Sequence, residues 1–211
     1  MSYKLICFDM DGVIFKDINF WVELHKKYGT IEKGLKLNKK YLHTDYNRLV
    51  KEVVINLWKG KSAKPYHDLI NSLEYLPGVK ETMEYVKKKN YITAIISASS
   101  IEAARKVQKE FGIDHIYANE LVIKNGKISG EFIWPIGAGK EKKAKIIRDL
   151  CSDLNIPLKE VIYIGDSDTD LEAFKEVGLS IAFNSNSEAL KKAATHTINS
   201  NNISHIIKYI P

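Results

Sequence analysis

The chain has 211 residues, of which 45% are hydrophobic and 27% are charged; this balance suits one α/β domain with a modest insert and excludes disordered, collagen-like and low-complexity proteins. No apolar run approaches the roughly 18 residues that span a bilayer. The net charge is +6, and most of it lies in residues 16–75, which contain 12 Lys and Arg but only 7 Asp and Glu. Because this segment has no continuous basic run, its charge favours a solvated surface or the attraction of an anionic small molecule over nucleic-acid binding.

Cysteine usage and the start of the chain indicate the compartment. Cys7 lies in an apolar run and Cys151 in a helical pattern, so both are expected to be reduced packing residues and not part of a disulfide or a metal cluster. The start MSYKLICFDMDG meets acidic residues too early for a secretory signal. We therefore expect a cytoplasmic protein that does not bind membranes.

In chain order, short apolar runs alternate with amphipathic segments. The runs lack the alternation of half-exposed strands, so they predict strands buried on both faces, as in a parallel sheet. The predicted strands are 4–8, 91–96, 161–164 and 179–183, and the predicted helices are 78–89, 100–111, 140–154 and 168–177. This order predicts an open, doubly wound α/β sheet with helices on both faces.

Two segments depart from this alternation. Residues 16–76 contain no strong strand, so they predict a small helical cap inserted after the first strand of a core formed by 1–15 and 77–211. Helical patterns in this segment lie near 19–28, 44–59 and 65–75. Residues 120–134 place Asn125-Gly126 between alternating apolar residues, which is the strongest short signal for a β-hairpin.

Acidic residues follow the first predicted strand. Asp9 and Asp11 are two positions apart, so their carboxylates emerge on the same side of an extended chain. Two neighbouring carboxylates repel each other unless a cation or a shared proton intervenes. An isolated pair of this kind also occurs in ordinary polar loops, so its meaning depends on the other strand ends.

The other strand ends carry groups that complement this pair. Ser97 opens the run Ser97–Ser100 after the second strand, where hydroxyl and N–H groups at a helix start bind an anion or cap the helix. Gly165 and Asp166 follow the third strand, and glycine permits close backbone approach. Four lysines, any of which is a candidate to neutralise phosphate, open the preceding helix: Lys140, Lys142, Lys143 and Lys145. Sites in open α/β sheets form at these carboxyl ends.

Competing motifs are excluded by their spacing. An EF-hand loop that began at Asp166 would need Gly at its sixth position and Glu at its twelfth, where this chain has Leu171 and Val177. The six histidines, at 25, 43, 67, 115, 196 and 205, lack zinc-ligand spacing. The sequence has no Walker A loop, GxGxxG turn or GxSxG elbow.

The ordered segments ICFDMDGVIF, IISAS, a Lys-rich helix start and IYIGDSDTD resemble the four motifs of the haloacid-dehalogenase-like (HAD) hydrolase superfamily. The segments LPGVKETMEYVKKKNYITAIISAS and YANELVIKNGKISGEF are similar to the phosphoserine-phosphatase-like branch. That branch has a small helical cap between its first two motifs, which corresponds to 16–76 here. The resemblance implies a HAD-like Rossmannoid fold and dependence on Mg²⁺.

The resemblance also implies a role for each acidic residue. Asp9 would be the nucleophile and a Mg²⁺ ligand. Asp11 would be the general acid–base and would offer its backbone carbonyl to the metal. Asp166 would be the second carboxylate ligand, and Asp170 would hold a metal-bound water or orient the lysine. Gly12 and Gly165, next to Asp11 and Asp166, would support the two acidic turns.

Phosphate would be bound by the second motif and by a lysine. The resemblance gives this role to the Ser97 hydroxyl and the Ala98 N–H. Lys143 best fits the spacing of the branch, while Lys140 and Lys145 stay open as alternatives.

These residues predict a phosphatase that hydrolyses a small phosphorylated metabolite through an aspartyl-phosphate on Asp9. A second acid such as Asp11 favours phosphoryl transfer over dehalogenation, because the leaving alkoxide of a phosphate ester needs a proton. A phosphotransferase or phosphomutase with the same nucleophile, and a non-catalytic binding protein, are the alternatives. A homodimer is a further expectation.

The substrate side departs from the branch. There an acidic cap residue and a cap arginine hold the amino acid, whereas here the acidic position falls near Ile18, flanked by Asp17 and Asn19. The aromatic candidates near the cap entrance either line an apolar pocket or pack in the cap core. The candidates for a substrate pocket are Phe15, Phe20, Trp21 and Arg48.

Overall fold

A computed structural model describes residues 3–16, 18–42 and 44–211. Asp17, next to the expected acidic cap position, and His43, one of the six histidines, lie outside these residues, as do the first two residues of the predicted core. The strands are β1 (Leu5–Phe8), β2 (Ile92–Ser100), β3 (His115–Lys124), β4 (Lys127–Ile133), β5 (Val161–Gly165), β6 (Leu179–Phe183) and β7 (His196–Ile198).

Helices connect these strands. The α-helices are α1 (Phe20–Lys27), α2 (Ile31–Tyr41), α3 (Tyr46–Lys51), α4 (Lys64–Asn71), α5 (Val79–Lys88), α6 (Ile101–Phe111), α7 (Glu141–Leu154), α8 (Leu171–Phe174) and α9 (Glu188–Ala193). A π-helix spans Glu52–Trp58, and short 3₁₀ helices span Leu158–Glu160, Asp168–Asp170 and Ile203–Tyr209. Within the described residues, no helix combines the length and apolar character needed to cross a membrane.

One seven-stranded sheet has the order β4-β3-β2-β1-β5-β6-β7. All neighbouring pairs are parallel except the β3–β4 hairpin. The predicted turn of that hairpin is present: Asn125 and Gly126 both adopt positive φ angles, 51° and 69°, as a type I′ hairpin turn requires. The predicted α/β class with a largely parallel sheet is confirmed.

Two hydrophobic layers cover the sheet, because side chains alternate between its faces along each strand. Ile6 and Phe8 of β1 face a layer that includes α5 and α6, whereas Leu5 and Cys7 face α7, α8 and α9. Every residue of β1, β5 and β6 is buried. This two-sided burial explains why these strands read as continuous apolar runs.

The helices α1 to α4 leave and rejoin the sheet layer at adjacent points. The Lys16 N–H donates to the Glu74 carbonyl, and the Leu76 N–H donates to the Ile14 carbonyl, both at 2.9 Å. Between these points the helical segment also contacts the hairpin, where the Gly60 N–H donates to the Ile128 carbonyl at 2.8 Å. The helical segment therefore lies over the same end of the sheet as the first strand's acidic turn.

Several elements differ from the sequence prediction, among them the predicted helix 168–177, which is a 3₁₀ turn over Asp168–Asp170 followed by the short helix Leu171–Phe174. The segment 31–41 forms a helix that the sequence did not predict. It contains Gly34, where a Cβ would lie 2.6 Å from the ring of His25. The predicted helix 44–59 changes to π geometry at Glu52. The edge strand β7 has only three residues, too few for a periodic signal.

Candidate active site

The first acidic turn lies at the centre of the sheet edge. The strand order places β1 between β2 and β5, and the Asp9 N–H continues the ladder by donating to the Ile164 carbonyl at 2.9 Å. Beyond Asp9 the chain folds back, because the Met10 carbonyl accepts the N–H groups of Ile14 and Phe15 at 2.8 and 2.9 Å. This compact turn brings Asp9 and Asp11 into one cleft.

Gly12 closes the turn against the third motif. Its φ angle is +76°, and a Cβ at this position would lie 2.4 Å from Asp166 Oδ2. Only glycine combines that backbone conformation with so close an approach. The contact between Gly12 and Asp166 therefore joins two motifs that are more than 150 residues apart in the chain.

Lys143 is the lysine that reaches the acidic residues. It is fully buried, and its Nζ lies 2.6 Å from Asp9 Oδ2 and 2.6 Å from Asp170 Oδ1. Burial alone would lower the pKa of Lys143, but Asp170 and Asp9 together raise it above its ordinary value. Lys145 instead pairs with Asp149 at 2.5 Å on the exposed side of α7, and the exposed Lys140 precedes the helix.

Asp170 holds this arrangement together. Its Oδ1 accepts from Lys143 and from the Tyr163 hydroxyl at 2.9 Å, and its Oδ2 accepts the N–H groups of Asp166 and Ser167 at 3.1 Å each. A Cβ at Gly165 would lie 2.5 Å from Asp170 Cγ, so the predicted supporting glycine is required by this contact. Asp170 is completely buried.

The acidic cluster fits a divalent cation. Carboxylate oxygens of Asp9, Asp166 and Asp170 all lie within 4.8 Å of one another, and Asp11 lines the same cleft. Burial raises the pKa of Asp9, and the Lys143 ammonium opposes that rise. Several carboxylates with one buried ammonium leave excess negative charge, which an ion such as Mg²⁺ with its preference for oxygen ligands would balance. Asp9, Asp166 and Asp170 are therefore the candidate carboxylate ligands.

The second motif forms the other wall of the cleft. Ser97 and Ala98 lie near the end of β2 and line the cleft with Asp9. The Ala98 carbonyl accepts two hydrogen bonds, from Trp21 Nε1 and from Asn119 Nδ2, both at 2.8 Å. Ser100 caps α6 by accepting the Glu102 N–H at 3.2 Å. The Ala98 carbonyl is thereby held by donors from two distant segments of the chain.

The candidate pocket residues separate into two groups. Phe20 and Trp21 line the cleft, which has a volume of about 270 Å³. Phe15 is completely buried and stacks on Tyr75 with ring centroids 5.0 Å apart, so it belongs to the core. Arg48 is exposed, with its guanidinium 4.9 Å from the ring centroid of Tyr41, and it lies outside the residues that line the cleft.

The sequence did not predict two residues of the site, Asn119 and Tyr163. Asn119 is completely buried and links Ala98 to the loop before α7, because its Oδ1 accepts the N–H groups of Ile136 and Gly137 at 3.2 Å each. The only sequence signal for Tyr163 was its position in a predicted buried strand, where a tyrosine hydroxyl needs a hydrogen-bond partner. Asn119 had no such signal, because its hydrogen-bond partners are distant in the sequence.

Comparison with known proteins identifies the family of the chain. A family model described as haloacid dehalogenase-like hydrolase matches residues 6–175. The phosphoserine phosphatase of Methanocaldococcus jannaschii is 28% identical over 210 residues, covering 98% of this chain and 97% of that protein. The phosphoserine phosphatase of Campylobacter jejuni subsp. doylei is 30% identical, covering 98% and 99%.

Solved structures agree as well. A phosphoserine phosphatase described as a phospho-aspartyl intermediate analogue superimposes with a TM-score of 0.84 at 26% identity, and the match covers both chains completely. The predicted superfamily and branch are confirmed. The protein is thus a phosphomonoester hydrolase that belongs to the haloacid dehalogenase-like hydrolase family, in its phosphoserine-phosphatase-like branch.

Proposed function

We propose that the chain hydrolyses a small phosphorylated metabolite with Mg²⁺ as cofactor and Asp9 as the nucleophile. The observation that carries this proposal is the position of Asp9. It is buried at the focus of three strand ends, 2.6 Å from the Lys143 ammonium and in one cleft with Asp11, Ser97 and Asp166. A carboxylate held in this way is oriented for attack, while the ammonium balances charge on a phosphoryl group.

The two carboxylates of the first turn would divide the chemistry. Asp9 attacks phosphorus, and the phosphorus–oxygen bond to the alcohol breaks as Asp11 gives its proton to the leaving oxygen. Asp11 then takes a proton from water as the water oxygen attacks phosphorus, and the bond between phosphorus and Asp9 breaks; this releases phosphate and restores both carboxyl groups. Burial of Asp9 favours this sequence because it excludes bulk water from the nucleophile.

The remaining motif residues would bind and position the phosphate. The Ser97 hydroxyl and the Ala98 N–H are candidates to donate to it, and Asp170 orients Lys143. Asp9 and Asp166, with the Asp11 carbonyl, would hold Mg²⁺. When bound, Mg²⁺ supplies positive charge that stabilises the phosphoryl oxygens in the transition state.

We also propose the domain arrangement and the location. The cap would comprise 16–76 and the core 1–15 and 77–211, which is supported by the adjacent exit and return of the chain at Lys16 and Glu74. The two free, buried cysteines suit the reducing cytoplasm. The homodimer stays a prediction.

Phosphate release from p-nitrophenyl phosphate tests the nucleophile. We expect activity that requires Mg²⁺, is abolished by a chelator and is lost in Asp9→Asn. Asp149→Asn, an exposed aspartate on α7 that pairs with Lys145, is the matched control and should keep full activity. Retained activity in Asp9→Asn would remove the nucleophile assignment.

The role of Asp11 has a separate signature. In Asp11→Asn, nitrophenolate leaves without a proton, so one equivalent should appear as a burst before slow hydrolysis of the aspartyl-phosphate. Alkyl phosphates need the proton, and their turnover should fall by about 10²–10⁴-fold. Equal losses with aryl and alkyl esters would contradict the acid role. Phosphotransfer is the competing reaction. If the amount of nitrophenolate released exceeds the amount of free phosphate when an alcohol is added, the phosphoryl group is being transferred to that alcohol.

A further inference from the structure

A second cavity lies among the helices beside the cleft. It has a volume of about 180 Å³ and is lined by α1, α2, α3, the π-helix and Trp134, the residue after β4. We call it the aromatic chamber, after the lining rings of Trp21, Tyr46, Trp58 and Trp134. Asn19 and Trp21 line both the chamber and the cleft that holds Asp9, so the two spaces adjoin.

The indole N–H groups of the chamber's three tryptophans all have hydrogen-bond acceptors within the protein. Trp21 Nε1 donates to the Ala98 carbonyl at 2.8 Å, and Trp134 Nε1 donates to the Tyr46 hydroxyl at 2.9 Å. Trp58 Nε1 donates to the Thr30 hydroxyl at 3.2 Å. The surface left for a ligand is therefore mainly ring faces and aliphatic groups, the latter including Val22, Leu42, Leu49, Val50, Val53 and Val54.

The chamber lacks charge. Among its lining residues, all taken from the part of the chain that the structure describes, none is Asp, Glu, Lys or Arg. Its one titratable base, His25, is 5% exposed, and burial lowers its pKa to about 4, so it is neutral at pH 7. The guanidinium of Arg48 lies over the Tyr41 ring, outside the chamber.

We propose that the aromatic chamber is the subsite for the alcohol part of the substrate, and that the substrate is a phosphate monoester of an uncharged, apolar alcohol that carries a ring-sized group. This inference rests on the proposed function, because the chamber adjoins the phosphate site through Trp21. The phosphate would lie against Asp9, Ser97 and Lys143, and the alcohol would extend past Asn19 and Trp21.

Physical chemistry separates this alcohol from an amino acid. The ammonium and carboxylate of serine would lose their water in the chamber without meeting an opposite charge, which is costly. A phenyl ring would instead bury its surface against Trp21, Trp58 and Trp134, a gain of about tenfold or more in affinity. The chain thus shares the fold of the phosphoserine phosphatases, while the proposed alcohol subsite does not suit an amino acid.

Three alkyl esters with a common core test the inference. Ethyl phosphate is the reference, phenethyl phosphate adds only a phenyl ring, and O-phospho-L-serine adds only an ammonium and a carboxylate. With the unmodified protein and Mg²⁺, kcat/KM for phenethyl phosphate should exceed that for ethyl phosphate by at least about tenfold. The value for O-phospho-L-serine should lie below that for phenethyl phosphate.

A matched pair of variants locates the effect. Val22→Phe adds a ring inside the chamber and should reduce the phenethyl-to-ethyl ratio toward one, whereas Ile55→Phe adds a ring at a surface position, 43% exposed, and should leave the ratio unchanged. The ester comparison on the unmodified protein decides the inference even if Val22→Phe does not fold.

The outcomes separate the two proposals. Turnover of ethyl phosphate without a gain for the phenyl ring, or a preference for O-phospho-L-serine, would overturn the alcohol subsite and leave the phosphatase intact. An absence of phosphate release from all three esters and from p-nitrophenyl phosphate would overturn both.

Discussion

The buried lysine provides the sharpest test of how the site is held together. Lys143 is completely buried between Asp9 and Asp170, at 2.6 Å from each, and the side chains of these two partners are 8% and 0% exposed. Lys143→Met keeps most of the side-chain volume but removes the ammonium. Two buried carboxylates then lose their shared positive partner.

The magnitude follows from this burial. Removing one partner of a buried ion pair costs about 3–5 kcal/mol, because it leaves uncompensated charge in a medium of low polarity. For a chain of this length the change corresponds to a fall in Tm of about 6–20 °C. Asp170→Asn, added to Lys143→Met, should recover part of the loss because it removes one of the two buried charges.

Urea unfolding followed by far-UV circular dichroism in the presence of a chelator measures the loss. Lys145→Met is the control on the same helix, since Lys145 is 63% exposed and pairs only with Asp149 in the described ion pairs; its free energy of unfolding should change by less than about 0.5 kcal/mol. A change below about 1 kcal/mol in Lys143→Met, or an equal loss in Lys145→Met, would refute the reasoning.

Three further predictions concern residues around the site. Asn119→Ala leaves buried N–H groups without their acceptor and should lower the free energy of unfolding by about 2–3 kcal/mol, whereas exposed Asn56→Ala should have little effect in the same urea assay. Gly12→Ala forces a Cβ against Asp166, so the Mg²⁺ concentration for half-maximal activity should rise by about tenfold or more; an unchanged titration would contradict this. The pKa of His25 is lowered to about 4 in the folded protein and is about 6.5 when unfolded, so the unfolded chain binds more protons between these values. Stability is therefore lost as the pH falls from about 6.5 to 4, by about 3 kcal/mol, and His25→Gln should remove that part of the pH dependence, measured as the difference between the two urea curves.

The sequence by itself located the acidic turns of the site. Asp9, Asp11 and Asp166 each follow a continuous apolar run, and the carboxyl ends of parallel strands meet at one edge of a sheet. This information is local, because a strand, its end and the next turn lie within about ten residues of one another. The hairpin at Asn125-Gly126 was predictable for the same reason, since its turn conformation depends on two residues.

Tertiary structure decided which lysine contacts the acids. Lys140, Lys143 and Lys145 lie within one and a half turns of each other, and a lysine on an apolar helix face is usually exposed. Lys143 is buried because carboxylates from two other elements, Asp9 and Asp170, meet it in the fold. No spacing within α7 contains that information.

The substrate side depended on tertiary structure most of all. The sequence could not tell whether Trp21 and Phe15 line a pocket or pack in a core, because both are aromatic residues near the same turn. The fold places Trp21 against Trp58 and Trp134, which come from distant segments, and stacks Phe15 on Tyr75. Local motifs thus fix the reactive groups, whereas the shape and polarity of the alcohol subsite arise only where separate helices meet, since burial is a property of the packed chain.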